Sequence, residues 1–247
     1  MKKTNNSNVL EVKDLNVEFS TYGGTVKAVR GVSYQVRKGK TLGVVGESGC
    51  GKSVTVRSIM RIVPEPGRIE SGRVIVYLDE KRRQAGMDLL QQSEAFMESL
   101  RGDRISMIFQ EPNAALNPTM SIGDQVAESF LFHQKKQLCE TVLSNLESET
   151  CRTFYPLKRF QLTLYRIAVK QPNALILKLL GRLPLLKRWQ SRTTREAKRR
   201  AIGMIAKLGL SNPEQIVNQY PHNLSGGMKQ RIVIAIALAC SPVLLIA

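Results

Sequence analysis

Apolar and polar residues alternate along Val9–Phe19 (VLEVKDLNVEF) and again along Gly24–Val36 (GTVKAVRGVSYQV), with Gly23-Gly24 between them. That pattern predicts two strands joined by a turn. Thr41–Gly46 (TLGVVG) is short and continuously apolar, as a strand buried on both faces of a parallel sheet would be. Lys52–Val63 has helical spacing and stops before Pro64. Gly72–Leu78 predicts a strand, Gly86–Gly102 a helix stopped by Gly102, and Ile105–Gln110 a strand leading into the turn-rich EPNAALNP. Ser121–Phe132 predicts a helix with Ser121 as its N-cap. Two more helices follow at Thr193–Leu210 and Ser225–Cys240, and Val243–Ala247 (VLLIA) predicts a last short strand. Strands alternating with helices imply an α/β layered domain with a mainly parallel sheet. No internal repeat is present.

With 247 residues and 43% hydrophobic content, the chain can fill a substantial core. No run of 18 apolar residues without charge occurs, and the start, MKKTNNSNVL, has no apolar run behind its lysines. Neither a membrane span nor a secretory signal is expected. Cys50, Cys139, Cys151 and Cys240 are scattered without a CxxC pair, which reads as reduced thiols in a cytosolic protein. The net charge is +17, and between Lys135 and Arg200 sixteen Lys or Arg stand against four Asp or Glu. Such an excess suits nucleic acid, anionic lipid or an acidic partner, or simply a solvated helical surface.

The chemistry is concentrated in two glycine-rich stretches. Gly46-Glu47-Ser48-Gly49-Cys50-Gly51-Lys52-Ser53 fits GxxxxGK[ST], after a predicted strand and before a predicted helix. Glycines let successive backbone N–H groups converge, and the helix N-terminus adds a positive dipole end, so the segment can cradle phosphate oxygens. Lys52 would reach the β- and γ-phosphates and the Ser53 hydroxyl would hold Mg²⁺. Thr55, on the same first turns, completes the candidate nucleotide contacts. The second stretch, Leu224-Ser225-Gly226-Gly227-Met228, also opens a helix and offers free N–H groups. Alone it would be an ordinary serine cap.

The two motifs in this order resemble the nucleotide-binding subunit of ATP-binding cassette (ABC) transporters. GESGCGKS resembles the Walker A motif, LSGGM the cassette signature, and Gln110 in MIFQEPNAALNP the Q-loop. RGDRISMIFQEPNAALNPTMSIGDQVAE and YPHNLSGGMKQRIVIAIALACSPVLLIA resemble the oligopeptide, dipeptide and nickel importer branch. The resemblance covers Val9 to about Leu131 and about Arg192 onward. It implies a P-loop ATPase core with an antiparallel β edge, spanning 8–247 and incomplete at its C-terminus. Within it the resemblance implies a helical subdomain over 111–224, enlarged by a basic insertion at about 134–191.

The resemblance also implies roles. Walker A would bind the triphosphate of ATP. Gln110 would contact Mg²⁺ and the attacking water, and its loop would touch the membrane-spanning subunits. Leu224–Met228 would bind the γ-phosphate held by a second, unlike cassette. An aromatic before Walker A would stack on adenine, with Tyr22 the candidate and Phe19 the alternative. VLLIA resembles Walker B, which the family follows with Asp and Glu, so the residues given are expected to bind ATP–Mg²⁺ without the general base that hydrolyses it. His133 and His222 precede the place of the family's switch histidine. The expected protein is the ATP-binding subunit of a peptide or nickel importer at the cytoplasmic membrane face, served indirectly by a substrate-binding protein, without nucleic acid. The alternatives are a non-transport ABC ATPase acting on nucleic acid or translation, and an inactive fragment. For the insertion, three readings stand: a helical insertion packed on its own domain, contact with lipid or permease, and contact with nucleic acid.

Overall fold

A computed structural model describes residues 7–78, 86–148, 155–170 and 190–247. Two compact units emerge, one of 1–106 with 242–246 and the other of 107–241 with 247. The first holds a four-stranded antiparallel sheet. Strand β1 (Asn8–Thr21) lies between β2 (Gly24–Arg37) and β3 (Gly67–Val76), and the short β4 (Met87–Asp88) flanks β3. The expected hairpin is present, turning at Tyr22-Gly23.

The alternation in β1 changes phase midway: Leu10 and Val12 are buried, and so are Leu15 and Val17. A bulge absorbs the extra residue. Asp14 has φ 47° and the pairing with both neighbours slips there. Side chains satisfy the displaced backbone: Asp14 N–H donates to Ser33 Oγ at 2.8 Å, and Gly31 N–H to Asn16 Oδ1 at 2.9 Å. Opposite the bulge a Cβ on Gly72 would lie 2.7 Å from Leu15 Cα, and Gly72 has φ +117°, so only glycine fits.

After the phosphate-loop segment comes α1 (Lys52–Ile59). The helix expected over 86–102 is shorter. The Asp88 carboxylate accepts from Leu90 N–H at 3.1 Å and starts a 3₁₀ turn at Leu89–Gln91, and Ser93 then caps α2 (Glu94–Leu100). Two capping side chains inside an apolar pattern restart the chain. Strands β5 (Ile105–Met107) and β6 (Leu244–Ile246) form a two-stranded sheet.

Thr41–Gly46 departs from its sequence reading. It is neither strand nor buried: Leu42 is 43% exposed, Val44 52% and Val45 96%. A strand needs neighbours for its N–H and C=O groups, and among the described residues none pairs with this run.

The second unit is helical: α3 (Pro112–Ala115), α4 (Ile122–His133), α5 (Lys135–Ser148), α6 (Tyr155–Lys170), α7 (Gln190–Lys207), α8 (Pro213–Ile216) and α9 (Gly226–Leu238). Ser121 caps α4 as expected, accepting from Asp124 N–H at 3.2 Å. Ile122, Val126 and Phe130 of α4 pack with Ala197, Ala201 and Ile205 of α7 and Ile232 of α9. The alanines, four apart on one face, allow close helix approach. A satellite cluster joins Cys139, Val142 and Leu146 of α5 to Leu164, Tyr165 and Ala168 of α6. Part of the basic insertion thus forms helices packed on their own unit. Its stretches 149–154 and 171–189, with Cys151 and Trp189, lie outside the described residues. Cys50 and Cys139 are free thiols, and Cys240 Sγ lies 3.6 Å from Ser129 O. Among the described residues no helix is long and apolar enough to cross a membrane.

Candidate nucleotide-binding site

The loop Gly46–Gly51 curls around the ammonium of Lys52. Lys52 Nζ donates to Gly46 O at 2.7 Å and to Glu47 O, and lies 3.5 Å from Cys50 Sγ. The curl depends on Gly51, at φ +90° just before α1. A Cβ there would lie 2.4 Å from Ala28 O, so the backbone of β2 braces the loop from behind. The exposed stretch Glu47-Ser48-Gly49-Cys50 forms the outer arc of the loop.

The first turn of α1 carries no acidic residue, and Ser53 is exposed on it. A helix start, a lysine inside the loop and an exposed hydroxyl, with no carboxylate in that turn, fit a polyphosphate with a divalent cation. Thr55 sits differently: it is buried and its hydroxyl donates to Gly51 O at 3.0 Å, alongside its own N–H at 2.9 Å. It steadies the turn that follows Gly51.

Of the two aromatic candidates, Phe19 lies against β3, where a Cβ on Gly67 would be 2.5 Å from its ring. Tyr22, at the hairpin tip, is fully exposed.

Gln110 and the signature belong to the helical unit. Gln110 is exposed just beyond β5 and two residues before α3. Ser225 is the N-cap of α9, and its hydroxyl accepts from Met228 N–H at 3.3 Å. A Cβ on Gly226 or Gly227 would meet nothing within 4 Å, so both face open space. Leu224 is buried and Met228 packs on the same core, which anchors the helix start. His222 lies in the 3₁₀ turn Pro221–Asn223, its ring stacked on Tyr220 at 5.7 Å.

Two contacts escape sequence reasoning. Lys229, on the first turn of α9, donates to Asn113 Oδ1 at 2.9 Å, and Arg231 donates to Gly209 O at 3.0 Å, capping the end of α7. Gly209 belongs to no motif, Asn113 is an unremarked position of MIFQEPNAALNP, and no sequence spacing marks the pairs.

The sequence pattern of the ABC transporter family matches residues 29–247. The oligopeptide transport ATP-binding protein of Bacillus subtilis (strain 168) is 38% identical over 240 residues, 97% of this chain and 49% of that protein. The dipeptide transport ATP-binding protein of the same organism is 37% identical, over 97% of this chain and 52% of its own length. The chain thus spans about half the length of these curated relatives. Among solved structures, an ATP-binding cassette in a dimeric post-hydrolysis state with ADP and phosphate superposes with a TM-score of 0.59 at 18% identity, covering 94% of this chain and 70% of that one.

Proposed function

The chain belongs to the ABC transporter family, and from that premise we propose that it is the ATP-binding subunit of a peptide importer. The observation that carries this reading is the phosphate loop, in which Lys52 lies inside a curl braced by β2. The relatives named for oligopeptide and dipeptide transport, at 38% and 37% identity, support peptide as the cargo class rather than nickel.

Bound ATP supplies a phosphoanhydride bond whose hydrolysis can be coupled to transport. The backbone N–H groups of Gly46–Gly51 and the Lys52 ammonium offset the charge of its phosphates. Ser53 and Gln110 would be the residues to hold Mg²⁺, which would offset phosphate charge, and Gln110 would orient water. Tyr22 stacks on the adenine. Ser225, Gly226 and Gly227, at the open start of α9, receive the γ-phosphate of ATP held by a second cassette. The partners are membrane-spanning subunits and that second cassette, at the cytoplasmic face of the membrane, with a substrate-binding protein delivering the peptide.

Calorimetric titration with Mg-ATP tests the premise. Binding to the wild-type chain and its loss in Lys52→Ala support the reading. Equal affinity for both, with the variant folded by circular dichroism, overturns it. Co-purification with membrane subunits that take up labelled dipeptide, and not nickel, tests the cargo.

A further inference from the structure

Helix α6 has two unlike faces. Leu164, Tyr165 and Ala168 are buried against α5. Arg159, Thr163, Arg166 and Lys170 are all exposed, and their spacing puts them on one outer face. Phe160 lies beside them, 43% exposed. The helix carries four Lys or Arg and no Asp or Glu. Among the described residues an acid from α5 meets it, Glu147 accepting from Arg166 Nη2 at 3.0 Å. The sequence that follows, 171–189, lies outside the described residues and adds four more Lys or Arg, again with no acid.

We propose that the outer face of α6 is a docking surface for an anionic lipid bilayer. Solvent-facing helices ordinarily mix both signs of charge. A face whose own charges are all cationic, flanked by an exposed aromatic, is instead suited to lying at a bilayer interface, cations toward lipid phosphates and the ring toward the acyl boundary. The preference for a membrane over nucleic acid, which shares the phosphate chemistry, rests on the function proposed above. The closely packed inner face holds α6 as a platform, so docking requires no refolding. Arg166 contributes less than Arg159 or Lys170, because Glu147 already offsets it.

The magnitudes are testable. Each basic residue near an anionic surface raises partition roughly fivefold. The full chain is sedimented with phosphatidylcholine vesicles, with and without phosphatidylserine, over a salt series. Binding should require phosphatidylserine and fall as salt rises. The double variant Arg159→Gln/Lys170→Gln should bind about 25-fold more weakly, two such factors multiplied. Glu147→Gln should bind more tightly, since it removes the acid beside Arg166, and a misfolded chain would not mimic that specific gain. Equal binding to pure phosphatidylcholine, or an unchanged double variant, overturns the proposal. So does tighter binding to duplex DNA than to vesicles with the same loss in the double variant. Mg-ATP binding is measured on the same samples. Failed docking with nucleotide binding intact removes only this inference. Docking as described without nucleotide binding removes only the functional reading.

Discussion

Lys229 Nζ donates to Asn113 Oδ1 at 2.9 Å, joining positions 116 residues apart in the chain. One end is the first turn of α9, and the other lies three residues after Gln110. The bond therefore ties the segment beyond Gln110 to the helix that Ser225 caps. At the surface it contributes little stability, about 0.5 kcal/mol, but it restrains the loop. Asn113→Ala and Lys229→Met should each speed hydrogen exchange over 110–115 while barely moving the urea midpoint. The double variant should exchange no faster than either single one. Additive acceleration would mean that the two side chains act separately.

Gly51 makes a sharper case. Its φ of +90° is costly for any residue with a Cβ, and that Cβ would lie 2.4 Å from Ala28 O. The backbone term alone is about 1–2 kcal/mol, and the clash is with backbone that cannot rotate away. Gly51→Ala should lower stability by about 2 kcal/mol or more and abolish Mg-ATP binding. Gly49→Ala has a positive φ as well but nothing within 4 Å. It should cost less in a urea melt, because only the backbone strain remains.

These two positions also show where sequence reading works and where it stops. The turn at Gly51 into α1 is legible because a glycine-rich run before a helix is a local pattern. The same holds for the caps at Ser121 and Ser225, each made within three residues. The bulge at Asp14 shows only in the pairing of β1 with both its neighbours, where Gly72 of β3 comes close to Leu15. Thr41–Gly46 was read as a strand from apolarity alone, yet pairing is a property of neighbours, and none of the described residues supplies one. Helix 86–102 was overextended because Asp88 and Ser93 carry capping hydroxyl and carboxylate groups within an otherwise apolar pattern. Asn113–Lys229 joins two residues with no mutual spacing, so only the fold reveals it.

Ser225 has a structural duty that can be separated from any role toward phosphate. Its hydroxyl caps α9 through Met228 N–H. Ser225→Ala should cost about 1 kcal/mol of stability, whereas Ser225→Asp retains a capping oxygen and should cost little. Asp places a negative charge at the helix start, so it should nonetheless weaken any phosphate contact there. Thermal melts alongside ATPase assays of assembled transporter would separate the two. A loss of stability in Asp equal to that in Ala would remove the cap from the argument.

Glu196 provides the pH test. Its side chain is 7% exposed on α7 and receives Arg199 Nε and Nη2, each at 2.8 Å, with Arg200 Nε at 3.5 Å. Arg200 also reaches Gln134 Oε1 at 3.1 Å and Thr141 Oγ1 at 2.9 Å, so the carboxylate helps hold a guanidinium that links α7 to the α4–α5 junction and α5. The hydrogen bond from Arg199 holds the Glu196 carboxyl below its ordinary value, against the opposing effect of burial. A depressed folded pKa means that the unfolded chain binds the proton more readily. Its contribution is therefore full above the unfolded pKa and is lost as pH falls through the folded one. Asp124 is depressed too, chiefly by a hydrogen bond from Lys198, so wild-type acid sensitivity alone does not isolate Glu196. Glu196→Gln does. The variant should be less stable than wild type at neutral pH, and the gap should close as pH drops below the ordinary carboxylate range, where the wild-type side chain is itself neutral. Urea melts at stepped pH read the gap directly. A gap that stays constant into acid would mean that Glu196 stabilises by packing rather than by charge.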